Sequence, residues 1–241
     1  MISFFKTVVY IPLYNVLSLL LSISWIDAGV AVILLTLLVK LILHPLSKKS
    51  AATQIRMREK EGELKSIKEK YKDKQEQAAK MMEFYKTHNI NPFSGIFTLI
   101  IQIPIIYSLY YMFYRGGLPD IDPNLLYSFV KVPDSVSMVF LGLVDISEKS
   151  VLLALLAAVT SYLQMHLSSQ NKDGEMRPGN LNSKEDLSKM MMKQMKYTMP
   201  VMVFFISWQI SGVIALYWFT SNVLGIIQDW HIKKQLKAAP A

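Results

Sequence analysis

The chain has 241 residues, 52% of them hydrophobic, and a positive mean hydropathy combined with a net charge of +8. That combination conflicts with a soluble globule and agrees with a polytopic membrane protein carrying basic loops. The absence of cysteine excludes disulfides, Cys-ligated zinc and iron–sulfur centres, cysteine nucleophiles and a lipoprotein anchor.

In residues 1–25, Ser3, Thr7, Tyr10, Tyr14, Ser18 and Ser22 recur at steps of three and four. They draw a polar stripe on an apolar helix, a pattern that suits a helix lying in the outer membrane–water interface. A sixth span is the competing arrangement. No small-residue cleavage site follows, so no removable signal peptide is expected. Residues 26–46 read as the first span, apolar from Ala28 to Leu43 except for Thr36 and Lys40 and stopped by Pro45. A charge near a bilayer centre costs ~3 kcal/mol, so Lys40 either faces a polar cavity or snorkels to a boundary roughly 9 Å away. Thr36 and Lys40 are four apart and share a helix face.

Residues 47–90 form a basic, water-soluble stretch that reads as two cytoplasmic helices around a turn at Lys72-Asp73. Met57, Leu64, Ile67 and Tyr71 mark one apolar seam, and Ala78, Met81, Met82 and Tyr85 mark the other. Gly62 weakens the first helix by ~1 kcal/mol. The hairpin's positive charge permits contact with anionic headgroups or RNA.

Residues 91–114 give the second span, with Ser94, Thr98 and Gln102 on one stripe and a kink expected at Pro104. Residues 115–149 form an outer loop punctuated by Gly116, Gly117, Pro119, Pro123 and Pro133. The third span, 150–169, carries Thr160 and Gln164 four apart. A flexible loop, 170–196, ends in a cluster of methionines from Met190 that leads into the fourth span, 197–211, kinked at Pro200. The fifth span, 212–231, follows after almost no loop at Ser211-Gly212 and places Trp218, Asn222, Gly225 and Asp229 on one face. A short basic tail, 232–241, closes the chain.

Charge sets the expected orientation. The segments assigned to the cytoplasm hold twenty-one Lys and Arg, and the opposite side holds Lys6, Arg115, Lys131 and Lys149. This positive-inside bias puts the N-terminus outside and the C-terminus in the cytoplasm of a bacterial plasma membrane. Most intramembrane polar residues fall in the cytoplasmic half or near the midplane, as Lys40 does. Singly, each is ordinary interhelical glue; together they predict a wet cavity open to the cytoplasm. No catalytic constellation, phosphate loop, cofactor motif or metal-ligand spacing is visible. Ser161 and His166 lie on different faces of their helix, and the four histidines are scattered. The expected protein is therefore not an enzyme and needs no cofactor.

Thr36 through Lys40 to His44-Pro45-Leu46-Ser47, then Asn91-Pro92-Phe93-Ser94-Gly95 with Gln102-Ile103-Pro104-Ile105 and Leu109-Tyr110-Tyr111, form a recognisable set. It is completed by Leu216-Tyr217-Trp218 with Ser221-Asn222 and Ile226-Ile227-Gln228. Together these blocks resemble the YidC family of membrane-protein insertases, over essentially the whole chain. The resemblance implies an all-α core of five transmembrane helices, with a cytoplasmic helical hairpin and an N-terminal interfacial helix. It further implies a hydrophilic groove open to cytoplasm and lipid. In that groove an arginine usually attracts polar parts of a client, whose apolar helix leaves along a greasy slide. Lys40 stands in the arginine's place; it keeps the charge and loses the planar fork of donors.

Groove residues are then Lys40, Thr36, Gln102 and Asn222, with Thr98, Thr160 and Gln164 in support; Tyr162, Tyr217 and Trp218 are candidates for the slide. Implied partners are nascent membrane-protein clients and membrane lipids, with a ribosome and a Sec-type translocon beside them and no specific nucleic-acid sequence. Ile210, where the family commonly has proline, and one extra residue between Gly212 and Tyr217 set the last turn apart. The missing large outer domain and the short tail with three lysines depart from longer members. A small solute transporter or channel with Lys40 in its pathway is the alternative, disfavoured by the lack of an internal repeat.

Overall fold

The computed structural model describes residues 2–91, 94–115, 118–168 and 184–238, with backbone alone at 2–3, 54, 58, 61, 68, 74, 94–101, 115, 168, 184–196 and 236–238. Of the loop expected at 170–196, residues 170–183 fall outside the described residues, and 184–196 are instead helical, the start of a helix that runs to Ile210. The side chains of Thr98 and of Met190 to Met195 are not among those described. The architecture is helical, as expected, with one small hairpin. An N-terminal stretch runs α1 (Ile2–Phe5), a π-helical turn (Lys6–Tyr10) and α2 (Ile11–Leu21). Then come α3 (Ala28–Ile42), α4 (His44–Glu59), α5 (Glu61–Lys70), α6 (Lys74–Thr87) and α7 (Ser94–Tyr110). A loop carrying the antiparallel strands β1 (Val139–Phe140) and β2 (Val144–Asp145) leads to α8 (Val151–Ser168), α9 (Lys184–Ile210) and α10 (Gly212–Ala238).

The chain divides into two compact units. One holds Met1–Leu41 with Pro104–Gln228, the other Ile42–Ile103 with Asp229–Ala241. Among the described residues no single helix is long and apolar enough to cross a membrane. The pair Ala28–Ile42 and His44–Met57, taken as one bent span, meets that measure by length and composition.

α3 stops at Ile42, just before Pro45 as expected, and the same proline opens the next helix. It falls in the first turn of α4, where its missing N–H is one that a helix leaves unpaired anyway. The expected first hairpin helix is likewise two pieces, broken at Lys60 just before Gly62. Asp73 caps α6, its carboxylate accepting from the Gln75 N–H at 3.1 Å. In α6 the buried residue is Phe84, with Ile90 beyond the helix end, while Ala78 and Met82 are exposed. The aromatic ring outcompetes the smaller side chains for the little cover the hairpin has.

The largest departure concerns the N-terminal stripe. Tyr10, Tyr14 and Ser18 are buried, and the apolar residues Phe4, Val8, Leu19 and Ile23 face outward. The middle of the polar stripe thus meets protein rather than water, while Thr7 and Ser22 remain exposed. Tyr14 Oη accepts from the Asp122 N–H at 2.8 Å. Asn15, absent from the expected stripe, donates from Nδ2 to the Leu125 carbonyl at 2.9 Å and accepts at Oδ1 from the Tyr127 N–H at 2.6 Å. Ser22 Oγ donates to the Lys131 carbonyl at 3.3 Å. Burial pushes the Tyr10 phenol up to about 12 and raises that of Tyr14, so both stay neutral hydrogen-bonding groups. Ring edges of Tyr107 and Tyr111, at 5.5 Å from Phe5 and Tyr10, complete the contact.

The break before α10 falls at Ser211, as the sequence predicts, and the loop covers it. The Gly212 N–H donates to the Glu148 carbonyl at 2.7 Å and the Val213 N–H to the Ile146 carbonyl at 2.9 Å. Two of the donors that a helix start leaves unpaired are thereby satisfied. A Cβ at Gly212 would stand 3.0 Å from the Ile146 backbone, so the close approach favours glycine. Elsewhere in this unit α8 packs along α9, with the small residues Ala154, Ala157 and Ser207 buried. Small side chains permit such close helix approach.

Candidate functional site

Lys40 occupies the last turn of α3 and is half-buried. The N-terminal part of this helix is packed through Ala28, Ala31, Val32, Leu35 and Thr36, whereas Leu41 and Ile42 are more than 60% exposed. The ammonium therefore sits where α3 emerges from its cover. Thr36, one turn earlier, is buried, and its Oγ1 donates to the Val32 carbonyl at 2.6 Å. That bond turns the hydroxyl toward its own helix, which satisfies it without a partner helix.

Three other expected groove residues come together between α8 and α10. Asn222 Nδ2 donates to the Ala157 carbonyl at 3.2 Å and to Thr160 Oγ1 at 3.3 Å. Thr160 Oγ1 donates in turn to the Leu156 carbonyl at 2.8 Å. Both side chains are at most 9% exposed, so the amide is held in a buried network. One turn along, Gln164 lies over Gly225, where an added Cβ would stand 2.2 Å from Nε2. Asn222 over Thr160 and Gly225 under Gln164 are two rungs of one seam. Gln102 belongs to the other compact unit and is half-buried.

The three slide candidates differ in setting. Tyr162 is 36% exposed on α8, its ring 5.9 Å from that of His166 and 6.1 Å from that of Tyr197 on α9. Trp218 is half-buried. Tyr217 is 2% exposed and hydrogen-bonded with Ser221, so it is a packing residue in this conformation rather than part of an outer surface. The aromatic pattern could not distinguish these, because a face shared with polar residues can point inward or outward. Sequence reasoning also passed over Ser207, Ser211 and Thr220, all buried, and Asn15. Single small polar residues in an apolar run leave no periodic trace. Among the described residues no group of three His, Asp or Glu is placed to hold a metal.

The interior of the first unit is thus partly polar and its exterior strongly apolar, with Leu152, Leu155, Leu156, Val159 and Leu163 of α8 all exposed. A helical protein with hydrogen-bonded polar seams and an apolar outside belongs to the class built for an apolar surround. The family model described as 60Kd inner membrane protein matches residues 19–239. The chain belongs to this family of bacterial inner membrane proteins. It is 33% identical over 217 residues to a membrane protein insertase YidC of Clostridium perfringens, covering 88% of this chain and 82% of that one. A namesake from Fusobacterium nucleatum is 29% identical over 208 residues, 86% of each chain. Another from Francisella philomiragia is 30% identical over 239 residues, 99% of this chain and 37% of the relative.

Proposed function

We propose that the chain is a membrane protein insertase of the bacterial plasma membrane. Its kinship over most of its length with proteins of that name carries this reading. The proposed arrangement has five spans, at 26–46, 91–114, 150–169, 197–211 and 212–231, with the N-terminus outside and the C-terminus in the cytoplasm. The one-sided distribution of Lys and Arg supports it. The basic hairpin then lies in the cytoplasm, where it receives clients beside a ribosome or a Sec-type translocon.

The mechanism follows from the residues. Lys40, half-buried at the end of α3, supplies a positive charge to the acidic or polar flank of a client. We assign Thr36, Thr98, Gln102, Thr160, Gln164 and Asn222 to the hydrophilic groove that receives the flank, on the resemblance of their sequence blocks to the insertase family. The client's ~20 apolar residues then pass Tyr162 and Trp218 into lipid, whose exclusion of water from apolar surface drives the step. Tyr217, buried and bonded with Ser221, is left out of this path in the present conformation. No covalent chemistry is required. The buried Thr160–Asn222 network supports a polar seam between α8 and α10, on which the groove reading builds: side chains inside an apolar bundle need partners or water, and here they have partners. A photo-crosslinker at position 164, presented with a ribosome-bound nascent membrane protein, tests the reading. Adducts with the nascent chain are expected, and their absence while a surface probe at position 62 on the hairpin does capture the chain would overturn it.

A further inference from the structure

The tip of the β1–β2 hairpin is Leu141-Gly142-Leu143, and nothing in the folding of the hairpin calls for leucine there. Leu141 holds φ at 51°, in the left-handed region, where glycine, asparagine or aspartate is the ordinary choice. Its side chain is 62% exposed and that of Leu143 is 83% exposed. Two leucines thus flank a glycine at a tight turn, one in a conformation it disfavours and both without cover in the fold.

The tip is nevertheless held in a fixed position. Asp27 Oδ2 accepts from the Leu141 N–H at 2.9 Å, while Oδ1 accepts from the Val30 N–H at 2.9 Å at the start of α3. The Ala28 N–H donates to the Ser137 carbonyl at 2.8 Å. The ring of Phe140 lies against Gly29, where a Cβ would stand 2.3 Å from it. Trp25, two residues before Asp27, is 78% exposed, and the outward residues Leu19 and Ile23 of the N-terminal stretch lead up to it. The apolar tip is therefore pinned to the start of α3, directly after an exposed apolar N-terminal stretch, in a protein of the inner membrane family.

We propose that Leu141 and Leu143 dip into the hydrocarbon edge of the extracytoplasmic leaflet and, with Trp25, set the depth at which α3 begins. The occupant of this surface is lipid acyl chain. The leaflet assignment rests on the proposed orientation; the insertion itself does not. A rigid apolar wedge pinned to the first turn of α3 would fix the level of Lys40 at the other end of the same helix, fifteen residues long.

The absence of cysteine makes the test direct, since single cysteines can be labelled without background. The full chain carrying Leu143→Cys, labelled with bimane in phosphatidylglycerol–phosphatidylethanolamine vesicles, is expected to be quenched by a lipid bearing a shallow nitroxide and shielded from iodide. Glu148→Cys, exposed beyond the hairpin, serves as the aqueous reference. Adding Leu141→Asn, which suits the left-handed turn and keeps the fold, should reduce the lipid quenching at 143. Iodide quenching at 143 equal to that at 148, with none from the nitroxide lipid, would overturn the proposal. Shielding from both quenchers would point to a second protein copy over the tip and would also overturn it. Labelling of Lys149→Cys in intact cells by a membrane-impermeant thiol reagent reads the leaflet separately. Labelling only after inversion of the membrane would refute the orientation, whatever the quenching shows.

Discussion

The loop at 118–149 and the helical hairpin at 44–88 are built on opposite plans. Residues 118–149 have little regular structure, yet backbone and buried side-chain bonds tie them to the starts of α3 and α10 and to the N-terminal helix. Residues 44–88 are almost wholly helical. They are held by a thin seam with Phe84 as its buried aromatic and by exposed pairs such as Lys80–Glu83 and Lys60–Glu63. Exposed ion pairs contribute little net stability, since solvent screens them. Regularity is therefore a poor guide to rigidity here. Firmness follows burial and long-range hydrogen bonding, and the region with fewer of both is the one that opens at lower cost.

Four changes sharpen or break that contrast. Asn15→Ala should have the largest effect, about 3 kcal/mol, because it strands the Leu125 carbonyl and the Tyr127 N–H in a half-buried site. Thermal unfolding in lipid nanodiscs reads it, and unchanged stability would mean that the loop is not latched. Asp27→Ala should cost about 2 kcal/mol by removing the cap of α3 together with the hold on the hairpin. Faster amide exchange at Leu141 is the specific signature. Gly62→Ala should do the reverse in the hairpin, firming α5 by about 1 kcal/mol, since an added methyl meets nothing within 4 Å. Slower exchange over 61–70, with none in the outer loop, is the expected outcome.

The smallest effect is one of pH. The Ser147 hydroxyl and N–H hold the Asp145 carboxyl below its ordinary value. A depressed carboxylate stabilises the folded hairpin above its unfolded value, and this contribution is lost as pH falls through the lowered one, beginning below about 4. Protection from exchange at position 147, corrected for the intrinsic pH dependence, should fall over that window in the native chain and by less in Ser147→Ala, which keeps only the backbone donor.

Much of the helical layout is written in local signals. The Ser211-Gly212 break, the third helix at Val151–Ser168 and the turn before α6 follow from apolar run length, glycine and the Asp73 cap. What escapes a sequence reading is the choice of partner. The period of Tyr10, Tyr14 and Ser18 defines a face without saying whether water or protein meets it. The answer lies with backbone groups more than a hundred residues away. Pro45 is legible only in part: α3 stops before it as the sequence predicts, and the same proline opens α4. The spacing of Thr160, Gln164 and Asn222 marks their helix faces, and only packing joins them across α8 and α10.

The account turns on the charge of Lys40. Insertion of a client with an acidic outer segment into vesicles, at matched protein levels, compares Lys40→Ala and Lys40→Arg with the native chain. Losing about 1 kcal/mol of attraction across a hydrated groove should cut insertion roughly fivefold in Lys40→Ala. Lys40→Arg should match the native chain, and a client without acidic residues should be indifferent to all three. Equal insertion of the acidic client by all three proteins would contradict the account.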